Sequence, residues 1–332
     1  MHNDNTLYSE NPQKSEYARR IYCDAVTALS KNGFAEYEKN PNAPLLADTL
    51  GAPLNLKITH IPTLSHEYVG RDSLCEIFRL RINALHNLPF FGLLFIPHNT
   101  EPPAPLCIAC HGYLGTPELM YGMHGKNGYS GLIEKLLQNG FAVFSPQLLM
   151  WNCGFNPAKP HYETQYNRPE LDRYFREKGA AIASLEVFCI LQSITALSNI
   201  RALNLTHLSA CGMSYGAYLT MRAMALDKRI QRGFFMSCFD GGDDSRFPEW
   251  QPQPGFLLLR DGEIAGMCAP RPVTVEVGQT DDIFLPSGAL REAEAAEEAY
   301  LRAEAAKNFN LSIWQGGHIV NPETKCAEFL RG

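Results

Sequence analysis

Five short apolar runs constrain the fold of this chain more than any other feature: LCIAC (106–110), FAVFS (141–145), HLSACG (207–212), RGFFMSC (232–238) and VTVEVG (273–278). Each is apolar nearly throughout rather than alternating, the pattern of a strand covered on both faces in a parallel sheet. Helical stretches separate them, at 128–138, as one or two helices within 171–203, and at 215–226. Strand, helix and strand in succession close right-handed crossovers, so the expected class is α/β, a mostly parallel central sheet with helices on both faces. A last cycle of Ala/Glu-rich helix (288–307), strand NLSIW (310–314) and closing helix (322–330) carries the sheet almost to residue 332.

The first 90 residues read differently. Tyr17, Ile21, Tyr22, Val26 and Leu29 recur at helical spacing, and Gly33 and Pro41 end that helix. LNLKITHI (54–61), CEIFRLR (75–81) and FFGLLFIP (90–97) read as strands, the last two pairing as an antiparallel edge. The expectation is a helical and β extension over residues 1–90, packed on a main α/β body over 91–332. Two irregular stretches, Gln147–Pro169 and Phe239–Gly262, follow apparent strands and would rim a site at the sheet's carboxyl edge.

Composition removes several function classes. With 45% hydrophobic residues the chain can bury a large core, and a net charge of -6 with no basic, aromatic-laced run argues against a nucleic-acid partner. No apolar run approaches the roughly 18 residues a membrane span needs, and MHNDNTLYSE lacks the charge and apolar run of a leader, so the expected location is the cytoplasm with no membrane partner. Most of the ten cysteines sit in apolar runs and read as reduced core thiols. Cys107 and Cys110 stand three apart within one strand, which turns them to opposite faces and removes a redox or metal pair. No dinucleotide or Walker fingerprint is present, and neither cofactor nor metal is expected.

The sharpest local signal is Gly212-Met213-Ser214-Tyr215-Gly216, set between the apolar HLSAC and the helical AYLTMRAMAL. This is the pattern of a nucleophile elbow, a tight strand-to-helix turn that exposes a strained serine. A serine hydroxyl needs a base, and His318, in Gln315-Gly316-Gly317-His318, is the only histidine after Ser214. The imidazole needs a carboxylate to orient it, and Asp281 or Asp282 follows the strand VTVEVG. Asp281 is favoured, with Asp240 as the rival at the preceding strand end. The order Ser, Asp, His is the one an elbow of this kind requires. Oxyanion donors are expected from the backbone N–H of Tyr215 and, in His111-Gly112-Tyr113, from that of Tyr113 or Gly112. His111 precedes the nucleophile and reads as a structural hydrogen-bonding residue. Trp151, Phe155, Tyr162 and Tyr166 are candidate pocket aromatics.

Together the elbow, the HGYLG loop, the GQTDD turn and the GGH loop resemble the α/β-hydrolase superfamily. Leu226-Asp227-Lys228-Arg229-Ile230 and Ala269-Pro270-Arg271-Pro272 resemble landmarks of its dienelactone hydrolase, acetyl xylan esterase and prolyl-oligopeptidase-like branch. The resemblance covers about residues 90–332 and implies Ser214 as nucleophile, Asp281 as orienting acid, His318 as base, and Tyr113 and Tyr215 as oxyanion donors. The segment after FAVFS departs from the Asp-x-Arg-Gly phrase of many carbohydrate esterases, and the chain has no room for an oligopeptidase propeller. The expected activity is cleavage of a small-molecule carboxylic ester, short-acyl or carbohydrate. A small amide or peptide substrate, or an inactive ligand-binding protein, is the alternative, and self-association is left open.

Overall fold

A computed structural model describes residues 12–113, 115–123, 128–149, 168–239 and 259–332. In chain order the elements are α1 (Pro12–Asn32), α2 (Leu45–Leu50), β1 (Thr63–Arg71), β2 (Cys75–Leu85), β3 (Leu88–Pro97), β4 (Ala104–Cys110), α3 (Pro117–Tyr121), α4 (Leu132–Gln138), β5 (Ala142–Pro146), α5 (Arg168–Arg176), α6 (Ile182–Leu197), β6 (Leu203–Met213), α7 (Tyr215–Leu226), β7 (Ile230–Met236), α8 (Asp261–Gly266), β8 (Val273–Gly278), α9 (Pro286–Arg302), β9 (Phe309–Trp314) and α10 (Cys326–Arg331). The nine strands form one sheet in the order β1-β2-β3-β5-β4-β6-β7-β8-β9.

β1, β2 and β3 form an antiparallel meander, and β3 runs antiparallel to β5. From β5 onward every neighbour pair is parallel. The chain therefore reverses its direction of travel across the sheet at β4, which lies between β5 and β6; such a switch leaves a crevice at the carboxyl ends of the strands. The architecture is the mostly parallel, helix-flanked sheet with an N-terminal helical and β extension that the apolar runs imply.

Alternation along the strands divides the core. Leu106, Ile108 and Cys110 of β4 pack with α6, α7, α8 and α9 residues such as Ile190, Leu219, Ile264 and Ala293. Cys107 and Ala109 face the other way, toward Leu132 and Leu136 of α4 and Leu330 of α10. Cys107 and Cys110 thus sit on opposite faces, as their odd spacing dictates. A third apolar cluster joins Tyr22 and Val26 of α1 to Phe90 of β3, Phe175 of α5 and Leu185 of α6. The nine described cysteines are buried and form no disulfide with one another.

One expected strand is not where the sequence placed it. LNLKITHI contributes only an isolated bridge, Leu56 to Lys39, and the outer strand is instead β1, Thr63–Arg71. β1 is largely exposed, so no apolar face marks it. It is held by backbone pairing to β2 and by Phe78, which takes edge-to-face contacts from His66 and Tyr68. A polar sequence is what an edge strand requires to resist pairing with other chains.

Candidate active site

Strand register gathers the candidate residues at one edge. Cys110 pairs with Gly212, Met213 with Met236, and Gly278 with Trp314. The residues that follow these ends are His111-Gly112-Tyr113, Ser214, Gln279–Asp281 and Gln315–His318. Loops scattered over two hundred positions of sequence therefore leave the sheet side by side.

Ser214 caps α7 with φ 55° and ψ -125°, a conformation outside the ordinary regions for an L-residue that costs roughly 1–3 kcal/mol. It is sustained by its surroundings: the Ser214 N–H donates to Met236 O at 2.7 Å, and its carbonyl accepts from Tyr218 N at 3.0 Å. The flanking glycines are sterically required. A Cβ on Gly216 would overlap the carbonyl oxygens of Cys110 and His111, and one on Gly212 would run into the backbone of Gly216. Helix α7 can approach β4 closely only because Gly216 has no Cβ, and the β6–α7 turn can close tightly only because Gly212 has none.

His318 and Asp281 are joined. The His318 Nδ1 lies 2.9 Å from Asp281 Oδ2, while Asp281 Oδ1 accepts the N–H groups of Ile283 (3.0 Å) and Phe284 (2.9 Å). Burial of Asp281 opposes its ionisation, but the His318 hydrogen bond and the Phe284 and Ile283 amides outweigh it and hold the carboxyl below its ordinary range. A carboxylate facing Nδ1 keeps the proton on that nitrogen and leaves Nε2 as the basic one. The Phe284 ring stacks on the imidazole with centroids 5.5 Å apart and planes 21° from parallel. The two loops are laced together by Gln279 N to Trp314 O (2.7 Å) and Thr280 N to Gly316 O (2.8 Å).

Asp282, next in sequence, is exposed, and Asp281 is the carboxylate on His318. Asp240 lies outside the described residues, as do Trp151, Phe155, Tyr162 and Tyr166. Ser214 is buried, and no Ser214–His318 hydrogen bond is formed among the described residues.

On the opposite wall the Gly112 N–H donates to Tyr129 Oη at 2.9 Å, so this amide is committed and Tyr113 remains as the second expected donor. Gly112 nevertheless abuts the elbow, since a Cβ there would lie 3.2 Å from Ser214 Cβ. The Tyr113 ring is exposed. Both ring nitrogens of His111 face backbone, Nε2 accepting from Leu148 N at 3.3 Å and Nδ1 facing Gly112 O at 2.9 Å. Its proton therefore sits on Nδ1, and the ring is a loop brace. Tyr215 opens α7, and the first N–H groups of a helix have no intrahelical acceptor and carry its positive dipole end.

Sequence reasoning missed Arg168 and Glu186, a buried ion pair against Tyr215. Arg168 was hidden in an irregular stretch. Glu186 had a readable signal, the one acid inside the apolar helix IASLEVFCILQSITAL. A described cavity of about 340 Å³ lies at the opposite end of the strands, lined by Pro105, Asn204, His207, Gln231, Arg232 and Arg331, and does not touch this edge.

No family model matches the chain, and no curated protein matches it in sequence. Solved structures do match. A glucuronoyl esterase from Solibacter usitatus superposes with a TM-score of 0.62 at 13% identity, over 97% of this chain and 93% of that one. The chain has the α/β-hydrolase fold. A carbohydrate esterase family 15 glucuronoyl esterase from Teredinibacter turnerae gives 0.56 at 16% identity, over 97% and 84%. Another, from Caldicellulosiruptor kristjansonii, gives 0.57 at 14% identity, over 86% and 81%. At such identities the likeness establishes the α/β-hydrolase fold and not a branch within it. Among the described residues, no helix of this α/β-hydrolase-fold chain is long and apolar enough to cross a membrane.

Proposed function

We propose that this chain is a serine hydrolase that cleaves carboxylic esters through an acyl-enzyme. The observation that carries the reading is the His318–Asp281 hydrogen bond at the same sheet edge where the elbow holds Ser214 in its strained turn. Ser214 Oγ attacks the ester carbonyl carbon while His318 Nε2 takes its proton. The tetrahedral oxyanion is met by the Tyr215 and Tyr113 amides. Its collapse breaks the bond to the alkoxide, which receives the proton from Nε2. Water, deprotonated by the same nitrogen, then attacks the acyl carbon, releasing the carboxylic acid and restoring Ser214. Asp281 stays ionised throughout and stabilises the imidazolium.

For substrate class, the named structural neighbours support a carbohydrate ester. They weigh toward an ester of a sugar acid or an acylated sugar over the dienelactones and peptides of the branch suggested by sequence. The open Ser214–His318 link favours a second reading, a ligand-binding protein without productive geometry, although such hydrogen bonds often tighten only on substrate binding.

Intact mass after fluorophosphonate treatment, with turnover of acetylated sugars and methyl glucuronate, separates the two. Wild type should gain one adduct. Ser214→Ala should gain none, keep its fold by circular dichroism, and lose about 10⁴-fold or more in kcat. A folded Ser214→Ala that keeps turning over ester would sink the assignment, and an unlabelled, inactive wild type would favour the binding reading.

A further inference from the structure

Behind the elbow, three buried groups form a closed ring of hydrogen bonds that takes no direct part in the steps of ester cleavage. Arg168, which opens α5, donates through Nη2 to Tyr215 Oη at 2.7 Å and to Glu186 Oε2 at 3.1 Å. Tyr215 Oη donates in turn to the same Glu186 oxygen at 2.5 Å. The other halves of the ion pair grip one backbone unit: Arg168 Nη1 donates to Leu149 O at 2.6 Å, and Leu149 N donates to Glu186 Oε1 at 2.5 Å. The guanidinium carbon stands 5.0 Å from the centre of the Tyr215 ring, and the side chains of Arg168 and Glu186 are 1% and 0% exposed.

Desolvating two charges costs several kcal/mol per ion, and apolar residues of similar volume commonly stabilise a core as well or better. Stability alone therefore does not account for the arrangement. Its geometry does something packing cannot. Two rigid, directional bonds hold the Tyr215 hydroxyl, and Tyr215 is the residue whose own N–H follows Ser214 at the start of α7. An oxyanion donor works by being aimed before charge develops, and small misplacements are expensive in rate.

We infer that Glu186 and Arg168 are positioning residues, which fix the direction of the Tyr215 amide by clamping the Tyr215 hydroxyl to the Leu149 backbone. The inference rests on the ester-hydrolase reading. It assigns these two residues to the turnover step, not to substrate affinity, because the clamp bears on the oxyanion side of the reaction.

The test uses Tyr215→Phe, which removes the shared hydroxyl and keeps the ion pair, alongside Glu186→Gln and the double variant. Kinetics are normalised to fluorophosphonate-titrated sites, so unfolded protein does not count. Tyr215→Phe should lower kcat by about tenfold to a hundredfold with KM within about twofold, and slow fluorophosphonate labelling of Ser214 in proportion. Where Glu186→Gln folds, it should fall to a similar kcat, and the double variant should be no worse than the lower single. A Tyr215→Phe enzyme with wild-type kcat per titrated site overturns the inference whatever its melting temperature, and so does a rise in KM at constant kcat. A wild type that does not label overturns the ester reading itself, a result distinct from labelled wild type with unaffected variants.

Discussion

Glu276 lies buried on β8 with Oε2 accepting from Asn321 Nδ2 at 3.1 Å, and Oε1 has no hydrogen-bond partner among the described residues. Burial raises its carboxyl above the usual range, and Asn321, Thr324 and Lys135 only partly offset that. An acid with a raised folded pKa binds more protons folded than unfolded, so its contribution to stability is full below the ordinary carboxylate value of about 4.3 and declines as pH rises through the folded value. Glu276→Gln should therefore raise the melting temperature near pH 7 and lose that advantage near pH 4, measured by calorimetry across the range. Asp281 has the opposite sign. Its depressed pKa adds stability above the ordinary carboxylate range that is lost as pH falls through the folded value. Glu276 lies within VTVEVG and Asp281 three residues beyond it, and the run itself was legible as a strand covered on both faces. Asp281 was the favoured acid for His318 with Asp282 and Asp240 left open, because Asp281 and Asp282 are neighbours in sequence and only the turn after β8 decides which one faces inward.

Among the elements, the β6–α7 junction was the most legible, because its determinants are local. Apolar residues end at Met213, α7 begins at Tyr215, and Gly212 is demanded by the backbone of Gly216 four residues on; Gly216 alone answers to a distant element, the end of β4. Gly216→Ala should cost about 2 kcal/mol or more by overpacking against the end of β4, read as a lower urea midpoint. Gly179→Ala is the instructive contrast. Gly179 has open space around its missing Cβ but φ +70°, so its penalty is backbone strain alone, about 1 kcal/mol. Equal losses at the two positions would count against a steric role for Gly216. The edge strand β1 was illegible for the converse reason: its stability comes from its partner β2 and not from any apolar period of its own.

Across the whole molecule, the helix α1 is tied into the same body as the sheet. Tyr22 and Val26, together with Phe34 just beyond its end, are buried against β3, α5 and α6, and Tyr22 meets Phe90 edge-to-face at 5.4 Å. Each large side chain so buried is worth about 1.5–3 kcal/mol, and three together approach the roughly 5–15 kcal/mol net stability of a domain. A chain lacking residues 1–34 should bind the dye ANS strongly and unfold at much lower urea, or aggregate. An unchanged urea midpoint would show that α1 adds little to the fold.

By itself the sequence determined what depends on neighbours along the chain: the apolar runs that become parallel strands, the helices between them, the opposed faces of Cys107 and Cys110, and the glycine-flanked turn at Ser214. Tertiary structure decided what depends on strand order and register. It put His318 against Asp281, committed the Gly112 amide to Tyr129, made a polar segment the outer strand, and drew Arg168 to Glu186 behind Tyr215. Periodicity records which face of an element is buried. Which distant side chain meets it there is fixed only when the sheet assembles, because a buried polar group is tolerable only where its partner arrives from elsewhere in the chain.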